Sequence, residues 1–324
     1  MNSKITGLGI CFPERCLTNS DLEKMVETSN EWIVQRTGIE KRYVCGEATF
    51  ASDLASAASI DAIRAAGLDP LDIDMIIVAT ATPDMATPST ACMVQNGIGA
   101  REAAAVDVNA ACTGFIYALS MADCYIKCGM FKNVLVVGVE TLSKIVDWTN
   151  RATCVLFGDG AGAAVVSATE EVGIMQTALH ADGKAGDNIT IGNLRDGEYI
   201  IAKGGATQSS KLWMDGSEVF KFAVRVMTDA TREVLDKQGF TFDDISLIVP
   251  HQANIRIIEG AVKRMKIPGD KVHVNIQKYG NISSASIPVA LFEAVNEGKI
   301  KKGDNVVLVG FGGGLTYGAV LLQY

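Results

Sequence analysis

Two halves of this sequence carry the same series of short apolar segments in the same order. Self-similarity of this kind indicates a duplicated structural unit, and it constrains the fold more than any single motif does. The matching pairs are DIDMIIVA (72–79) with DISLIVPH (244–251), VDVNAAC (106–112) with VHVNIQK (272–278), NVLVVG (133–138) with NVVLVG (305–310), and GDGAGAAVV (158–166) with GGGLTYGAV (312–320). We therefore predict two related halves, residues 1–171 and residues 172–324.

Each half alternates strand-like runs with longer helical patterns. Short β-branched runs bounded by glycine or polar residues are typical of buried strands. These runs are MIIVAT, VDVN and VLVVGV in the first half and ISLIVP, KVHVN and NVVLVGF in the second. The helical patterns lie near residues 51–66, 88–98, 112–128, 217–237, 253–265 and 284–297. The alternation predicts the α/β class, with buried sheets covered by helices.

Two stretches interrupt the repeat. The first half carries residues 141–157 between its last matched strand and its glycine motif, and the second half has no counterpart. Residues 181–216 form a second, loop-rich stretch that is long enough to be a lid or a pocket wall. Loops added to a scaffold are common carriers of function, so we expect the insertion at 141–157 to contribute to a site.

The composition argues against several classes of protein. With 324 residues, 48% of them hydrophobic, the chain can form one large domain or two ordinary ones. Its net charge of −8 opposes nonspecific binding to nucleic acids and to acidic membranes. The apolar runs are much shorter than the roughly 20 residues of a membrane helix. Because the first residues lack a secretory signal pattern, we expect a cytoplasmic protein.

The cysteines of such a chain are expected to be free thiols, and the absence of a C-x2-C pair argues against zinc. Cys112 follows a strand and opens a helix, where unpaired N–H groups and the helix dipole favour a thiolate. A buried, inert thiol is the alternative, and position alone does not decide between them. The other cysteines are expected in the core: Cys11, Cys16, Cys45, Cys92, Cys124, Cys128 and Cys154.

Two further polar residues occupy positions that the repeat relates to Cys112. His251 ends the strand ISLIV, and ligands gather at the carboxyl ends of strands in open α/β sheets. Asn281 precedes the helix that is the counterpart of the one opened by Cys112. A structural histidine and a turn asparagine are the alternatives. Because the three positions converge on one crevice in a duplicated fold, we predict that they form a site.

A glycine loop and a basic helix border this crevice. The loop FGGGLTYG (311–318) lets the backbone approach a ligand and present N–H groups to an oxyanion. The helix near residues 253–265 carries Arg256, Lys263 and Arg264 on one side, which is either a binding surface for an acidic partner or an ordinary solvated face.

Several motifs together resemble the β-ketoacyl-acyl carrier protein synthase III family. They are VDVNAACTGFIYAL (106–119), IVPHQANIRI (248–257), YGNISSASIPVAL (279–291), VGFGGGLTYG (309–318), NEWIVQRTGIEKR (30–42) and LFGDGAGAAVV (156–166). The resemblance implies the duplicated thiolase-like fold, with five layers in the order α-β-α-β-α, and a homodimer. It also implies the condensation that starts bacterial fatty acid synthesis.

The same resemblance assigns the chemistry. Cys112 is implied as the nucleophile that takes an acyl group from acyl-CoA, with His251 and Asn281 as its catalytic partners when malonyl-acyl carrier protein loses CO2. The backbone N–H groups of Cys112 and Gly313 are implied as the oxyanion hole, and no metal or redox cofactor is needed. A related condensing enzyme that loads a specialised starter for secondary metabolism remains the alternative. A noncatalytic acyl-binding module is a further alternative, but it would be expected to lose part of the triad.

The resemblance also implies residues for substrate binding. The CoA contacts are Trp32, Arg36, Thr37, Arg151 and Asn254. Docking of the carrier protein is implied for Arg256, with Lys263 and Arg264 on the same helix. Thr87 stands where many members carry a bulkier Phe or Met that closes the acyl pocket across the dimer interface, so we expect room for starters longer than acetyl.

Overall fold

The structure is a computed structural model that describes residues 1–192 and 211–324. Residues 193–210, the middle of the predicted lid or pocket wall at 181–216, lie outside the described residues. Strands β1 to β13 are Asn2–Cys11, Cys16–Thr18, Lys41–Tyr43, Met75–Ala79, Ala104–Val108, Asn133–Thr141, Asp159–Thr169, Ile174–Ala181, Ile189–Thr190, Trp213–Met214, Leu247–Pro250, Asn305–Gly312 and Thr316–Gln323. Helices α1 to α10 are Asn19–Leu22, Asn30–Thr37, Ala51–Ala65, Thr90–Ile98, Gly114–Lys127, Arg151–Cys154, Gly216–Gln238, Ile255–Met265, Ile276–Tyr279 and Ser286–Asn296.

The two main sheets have the same strand order, as a duplication requires. The first sheet runs β1-β7-β6-β4-β5, and the second runs β8-β13-β12-β11. The corresponding pairs β6–β4 and β12–β11 are both parallel, and the pairs beside them (β7–β6 and β13–β12) are both antiparallel. The division near residue 171, which falls between β7 and β8, stays our proposal.

The helices lie in three layers around these sheets. Phe115 of α5 and Ile287 of α10 share one core with Val136 of the first sheet and Leu308 of the second, so α5 and α10 lie between the sheets. Helices α3 and α4 pack on the outer face of the first sheet, and α7 and α8 pack on that of the second. The predicted five-layer α-β-α-β-α arrangement is confirmed.

Helix α3 approaches β1 closely because two glycines of the strand leave room for it. A Cβ atom at Gly7 would lie 2.2 Å from the carbonyl oxygen of Ala62, and one at Gly9 would lie 2.2 Å from that of Ala58. No side chain fits at such distances, so the Gly-x-Gly spacing of β1 and the alanines of α3 are two parts of one packing solution.

The predicted strand KVHVN is reduced to a single bridge between Ile248 and Val272. Val272 occupies the place that β5 has in the first sheet, but the chain beyond it bonds to the side chain of Gln252. The amide of Gln252 donates to the carbonyl of His273 at 3.1 Å and accepts from the N–H of Asn275 at 3.0 Å. A side chain therefore takes the hydrogen bonds that a neighbouring strand would otherwise make.

The expected burial of all other cysteines is wrong for several of them. Cys154 is buried, but Cys92 on α4 and both Cys124 and Cys128 on α5 are exposed. Helix α5 turns its apolar side, including Ile126, into the central core, so positions two residues away on the helix point outward.

No helix within residues 1–192 and 211–324 is long and apolar enough to cross a membrane.

Candidate active site

Two short turns at the entrances of the central helices meet at the middle of the molecule. The 3₁₀ turn Ala111–Thr113 precedes α5, and the turn Ser283–Ala285 precedes α10. Ala111 and Ser283 both have a φ of 46°. This left-handed conformation is uncommon for residues with a side chain and recurs at functional sites. The turns are pseudo-equivalent, and Cys112 has Ser284 as its counterpart.

One cavity of about 220 Å³ brings together the three residues that the repeat singled out. Cys112, His251 and Asn281 all line it, although they come from turns and strand ends that are far apart in sequence. The predicted convergence of these positions is therefore present in the structure. The surrounding wall is mostly apolar and includes Leu142, Val155, Leu156, Phe157, Ile189, Ile191, Leu212, Met214, Val219, Phe220, Ile257 and Phe311.

The two stretches that interrupt the repeat both contribute to this wall. Leu142 and Phe157 come from the insertion at 141–157, as expected for a loop added to a scaffold. Ile189 and Leu212, at either side of residues 193–210, line the cavity as well. The described parts of the stretch 181–216 therefore form a pocket wall, and they enclose the space in front of Cys112.

His251 is held as a neutral imidazole. It follows β11, is 1% exposed, and its Nδ1 lies 2.6 Å from the hydroxyl oxygen of Ser286. That oxygen also accepts from the backbone N–H of Gln252 at 3.5 Å. We assign the hydroxyl proton of Ser286 to the bond with Nδ1, which is a choice of tautomer and not an observed hydrogen position. Burial lowers the pKa of His251 to about 3. The tautomer then carries its proton on Nε2, where it can donate into the cavity.

Asn281 is positioned by hydrogen bonds on both its backbone and its side chain. Its N–H donates to Leu156 and its carbonyl accepts from Gly158, which ties it to the end of the insertion. Its Oδ1 accepts from the N–H of Ser283 at 2.9 Å. Because Oδ1 is used in this way, the amide nitrogen Nδ2 is the group left to donate into the cavity.

The surroundings of Cys112 favour its thiol over its thiolate. Burial is the largest cause and raises the pKa of Cys112 to about 12, with a smaller contribution from the carboxylate of Glu140. The nearby side chain of Ser283 acts in the opposite direction. Desolvation therefore outweighs the groups that favour the charge, which is opposite in direction to the effect of the helix start considered alone.

The glycine loop packs directly against the nucleophile. A Cβ atom at Gly312 would lie 2.6 Å from the backbone nitrogen of Cys112, so only glycine permits this approach. Gly313 also lines the cavity, and its carbonyl accepts from the Thr316 hydroxyl at 3.1 Å. The assignment of the N–H groups of Cys112 and Gly313 to an oxyanion hole stays a prediction.

The predicted CoA contacts surround the mouth of the cavity. The guanidinium groups of Arg36 and Arg151 lie 5.5 Å and 4.8 Å from the ring centre of Trp32. Thr37 lines the cavity, but its hydroxyl is used within the helix end, where it donates to Ile33. Asn254 lines the cavity too, and its Oδ1 caps α8, which leaves its Nδ2 available.

The remaining predicted residues lie outside the cavity. Arg256, Lys263 and Arg264 are exposed on α8, and the guanidinium of Arg256 is 6.0 Å from the ring centre of Phe220 at the cavity wall. Thr87 is exposed and is not among the residues that line the cavity. A role for Thr87 in the acyl pocket would therefore need a second copy of the chain, and it stays a prediction.

Sequence reasoning missed the polar residues that support the site. Ser283 and Ser286 are visible in the motif YGNISSAS, but the bond of Ser283 to Glu140 and the contact of Ser286 with His251 depend on the tertiary fold. Glu140 ends β6 and gives no signal beyond an acidic residue after an apolar run. Within residues 1–192 and 211–324, no group of three or more His, Cys, Asp or Glu side chains is arranged to hold a metal ion.

A thiol, a neutral imidazole and a side-chain amide line one cavity between two duplicated α/β halves. This combination defines the thiolase-like class of condensing enzymes. Residues 106–183 match the family 3-oxoacyl-[acyl-carrier-protein] synthase III, and residues 235–324 match its C-terminal model. The chain is 50% identical over 329 residues to the β-ketoacyl-[acyl-carrier-protein] synthase III of Clostridium perfringens strain SM101, covering 99% of each chain. This chain belongs to the β-ketoacyl-[acyl-carrier-protein] synthase III family.

Solved structures agree with this assignment. The crystal structure of 3-oxoacyl-[acyl-carrier-protein] synthase III from Aquifex aeolicus superposes with a TM-score of 0.92 at 49% identity, and the match covers 99% of this chain and 100% of the other. The priming β-ketosynthase of the R1128 polyketide biosynthetic pathway also has a TM-score of 0.92, at 35% identity, and the match covers 99% of this chain and 96% of that one.

Proposed function

We propose that this protein catalyses the condensation of an acyl-CoA starter with malonyl-acyl carrier protein, which starts fatty acid synthesis. The single observation that carries the proposal is the presence of Cys112, His251 and Asn281 in one cavity. Membership in the synthase III family supports it, because its relatives carry that activity in their names.

The first half-reaction is the acylation of Cys112. The sulfur attacks the thioester carbon of acyl-CoA, the tetrahedral oxyanion forms, and the CoA thiolate leaves as the new thioester bond is completed. The N–H groups of Cys112 and Gly313 would stabilise the oxyanion, since the loop at Gly312 holds the backbone against Cys112. The apolar wall of the cavity excludes water from the acyl-enzyme, which protects it from hydrolysis.

The second half-reaction is decarboxylation and carbon–carbon bond formation. When malonyl-acyl carrier protein loses CO2, negative charge develops on the thioester oxygen, and Nε2–H of His251 with Nδ2–H of Asn281 can both donate to it. The carbanion then attacks the acyl carbon on Cys112 and releases β-ketoacyl-acyl carrier protein. This step needs two donors and no strong base, which suits an imidazole that burial keeps neutral. The chemistry needs no metal or redox cofactor, since the substrates carry their own thioester groups.

The surroundings of the cavity suit the two substrates. Trp32 and Arg151 offer an aromatic face and a cation at the mouth, which matches the adenine and phosphates of CoA. Arg256, with Lys263 and Arg264, presents a cationic face on α8 for an acidic carrier protein. We propose in addition that the protein acts as a homodimer, joined through the outer edge of β5.

A related enzyme that loads a specialised starter is the second candidate. It is favoured by the likeness to the priming β-ketosynthase reported above and by Thr87, whose short side chain would leave space in an acyl pocket built across two copies. Both candidates use the same acyl-cysteine, so they differ in starter preference alone. Condensation measured with straight and branched acyl-CoA substrates of increasing length distinguishes them.

Mass spectrometry of the protein after incubation with acyl-CoA tests the proposal. We expect a mass increase of one acyl group, located on Cys112, and release of that group as β-ketoacyl product once malonyl-acyl carrier protein is added. Cys112→Ser should abolish rapid labelling, whereas the exposed-cysteine control Cys124→Ser should label like the wild type. Labelling that persists in Cys112→Ser, or none in the wild type, would contradict the proposal.

A further inference from the structure

Arg42 is a fully buried cation that the mechanism above does not use, although it ends the motif NEWIVQRTGIEKR (30–42). Its Nη1 donates to Oδ1 of Asn19 at 2.9 Å, and its Nη2 donates to the backbone carbonyl of Val155 at 2.7 Å. Both acceptors are amide oxygens, and within the described part of the chain Nε has no hydrogen-bond partner. Burial lowers the pKa of Arg42 to about 10, so the guanidinium still carries its charge at neutral pH.

Stability alone does not account for an arginine at this position. A buried cation loses its hydration, and hydrogen bonds to neutral oxygens recover only part of that free energy. An apolar side chain of similar length would fill the same space without this cost. The planar guanidinium, however, holds two acceptors at fixed positions relative to each other, which a flexible apolar chain cannot do. The arginine is therefore explained by the two segments that it joins.

One of these segments is the helix α2 with its flanking turns. Nδ2 of the buried Asn19 donates to the carbonyl of Ile39 at 2.8 Å and to Oδ1 of Asn30 at 3.0 Å. Asn30 begins α2, and Ile39 lies two residues past its end. Asn19 is therefore fixed to both ends of the helix that carries Trp32 to the cavity mouth, and its Oδ1 offers Arg42 a rigid point of attachment.

The other segment is residues 155–158, which join α6 to β7 and hold the backbone of Asn281. The N–H of Asn281 donates to the carbonyl of Leu156 at 2.9 Å, and the carbonyl of Asn281 accepts from the N–H of Gly158 at 3.0 Å. The bond from Arg42 fixes this segment at its first residue. The position of the guanidinium is therefore passed to Asn281 through two short backbone hydrogen bonds.

The stem of Arg42 also packs on both sides of this pairing. A Cβ atom at Gly158 would lie 3.0 Å from the Cβ of Arg42, and one at Gly280 would lie 3.3 Å from it. Gly280 directly precedes Asn281 and has a φ of 67°, in the left-handed region that favours glycine. Arg42 therefore lies against the chain that leads into Asn281 as well as against the segment to which Asn281 is bonded.

The orientation of Asn281 matters for one half-reaction. Its Oδ1 accepts from the N–H of Ser283, so Nδ2 is the group that can donate to the thioester oxygen when CO2 leaves. One donor to a developing oxyanion contributes about 10²–10³ in rate, provided that it is correctly placed. Acylation, by contrast, uses Cys112 and the backbone of the glycine loop, which meet at Gly312. A residue that acts through Asn281 should therefore affect decarboxylation and not acylation.

We propose that Arg42 is a positioning residue for decarboxylation, whose guanidinium fixes residues 155–158 against α2 so that Nδ2 of Asn281 meets the developing negative charge. This proposal rests on the condensation function proposed above. Arg42 does not belong to the described lining of the cavity, so it acts through Asn281 rather than by touching a substrate. The motif at 30–42 then serves both half-reactions, with Trp32 at the cavity mouth and Arg42 behind the decarboxylation donor.

Separate measurement of the two half-reactions tests the proposal. The acyl-enzyme is formed with saturating acyl-CoA and counted by mass spectrometry. It is then mixed with malonyl-acyl carrier protein, and CO2 release in a single turnover is followed by rapid quench. Arg42→Met replaces the guanidinium by an apolar chain and removes both hydrogen bonds. We expect CO2 release to slow about 10- to 100-fold, as for a reacting group displaced by about 1 Å, and acylation to slow severalfold at most.

A double-mutant cycle shows whether Arg42 acts through Asn281. Asn281→Ala removes the donor itself, so Arg42→Met should slow CO2 release little further in that background. Ile63→Ala is the matched control for lost stability, because Ile63 is buried in the core between α3 and the first sheet, and no described residue of that core lines the cavity. It should be less stable than the wild type and keep both half-reactions close to the wild-type rates.

Arg42→Lys is the second variant, and it carries the test if Arg42→Met does not fold. It keeps the charge, but a single ammonium group cannot replace the two prongs of the guanidinium. We therefore expect CO2 release to slow selectively, by a smaller factor than in Arg42→Met.

The possible outcomes are distinguishable. Unchanged CO2 release in the Arg42 variants, or equal slowing of acylation and CO2 release, would overturn the positioning role and leave the proposed function intact. A loss that multiplies fully with that of Asn281→Ala would also overturn it, because Arg42 would then act independently of Asn281. Failure of the wild type to form acyl-Cys112 with any acyl-CoA would remove the proposed function, and the positioning role with it.

Discussion

At the scale of single residues, burial controls the protonation of the site. It raises the pKa of Cys112 to about 12 and lowers the pKa of His251 to about 3, so both side chains are neutral at physiological pH. Neutral groups are less costly to bury than charged ones, and a neutral imidazole with its proton on Nε2 is still a donor. The thiol is the group that must lose its proton before the sulfur attacks a thioester.

The neutral imidazole predicts how decarboxylation depends on pH. We expect the single-turnover rate of CO2 release by acylated enzyme to stay level from pH 8 to pH 5, because His251 does not gain a proton in this range. Rapid-quench measurement of CO2 from malonyl-acyl carrier protein checks this. A decline centred near pH 6.5, the usual pKa of histidine, would contradict it.

The lowered pKa of His251 also makes the stability of the fold decrease in acid. The unfolded chain binds a proton at His251 below pH 6.5, and the folded chain does so only near pH 3, so acid favours unfolding in between. This contribution to stability is complete above pH 6.5 and decreases by up to about 1.4 kcal/mol per pH unit toward pH 3. His251→Gln should reduce this acid-linked loss in urea unfolding experiments.

At the scale of elements, the two helix entrances are related by duplication but carry different chemistry. Ala111 and Ser283 share a φ of 46°, and the residues that follow them are Cys112 in one half and Ser284 in the other. Gly312, at the end of β12, packs against the first entrance at the nitrogen of Cys112. One half therefore supplies the nucleophile, while the other supplies Asn281 and His251.

This packing predicts a strict requirement for glycine at residue 312. Gly312→Ala would place a Cβ 2.6 Å from the nitrogen of Cys112, so the turn or the loop must move. We expect acylation of Cys112 to slow by about 100-fold, since misplacement of a reacting group by about 1 Å has this effect. We also expect the free energy of unfolding to fall by about 1–3 kcal/mol. Mass-spectrometric labelling rates and urea unfolding measure the two effects.

Gly269→Ala is the matched control for this substitution. A Cβ at Gly269 meets no atom within 4 Å, so both the labelling rate and the stability should remain close to those of the wild type. Normal acylation in Gly312→Ala would show that the glycine loop does not position Cys112.

The secondary structure predicted from the sequence pattern is correct where a segment determines its own structure. It is wrong where a distant side chain takes the backbone hydrogen bonds of the segment. The helices α3, α7 and α8 lie within a few residues of their predicted positions because their apolar faces repeat at helical spacing. KVHVN has strand alternation, but Gln252 takes the bonds at His273 and Asn275. No local pattern contains that information.

At the scale of the whole molecule, β5 offers an edge through which two copies can pair. Ala104 donates to Asp74 and Val108 accepts from Thr80, so residues of this parity face β4. The N–H groups of Ala105 and Asp107 therefore face the outer edge, where no further strand lies among the described residues. Unpaired edges of this kind are ready to join another strand.

Ala105→Pro tests whether this edge joins the homodimer. Proline removes one outward N–H group and leaves the bonds between β5 and β4 unchanged, so we expect a shift from dimer to monomer. Light scattering after size-exclusion chromatography measures the mass, and circular dichroism checks that the halves remain folded. A dimer that persists on dilution would place the interface elsewhere.

The sequence by itself determined the duplicated α/β architecture, because matched apolar segments can bury their surfaces only as two similar sheets. It also determined the choice of Cys112, His251 and Asn281, since the repeat relates their positions and the family motifs contain them. Tertiary structure alone decided their protonation, the assigned tautomer of His251, and the contact of Ser283 with Glu140. These properties depend on burial and on groups that are distant in the chain, 35 residues for Ser286 and His251 and 143 residues for Glu140 and Ser283, and such contacts leave no trace in a local pattern.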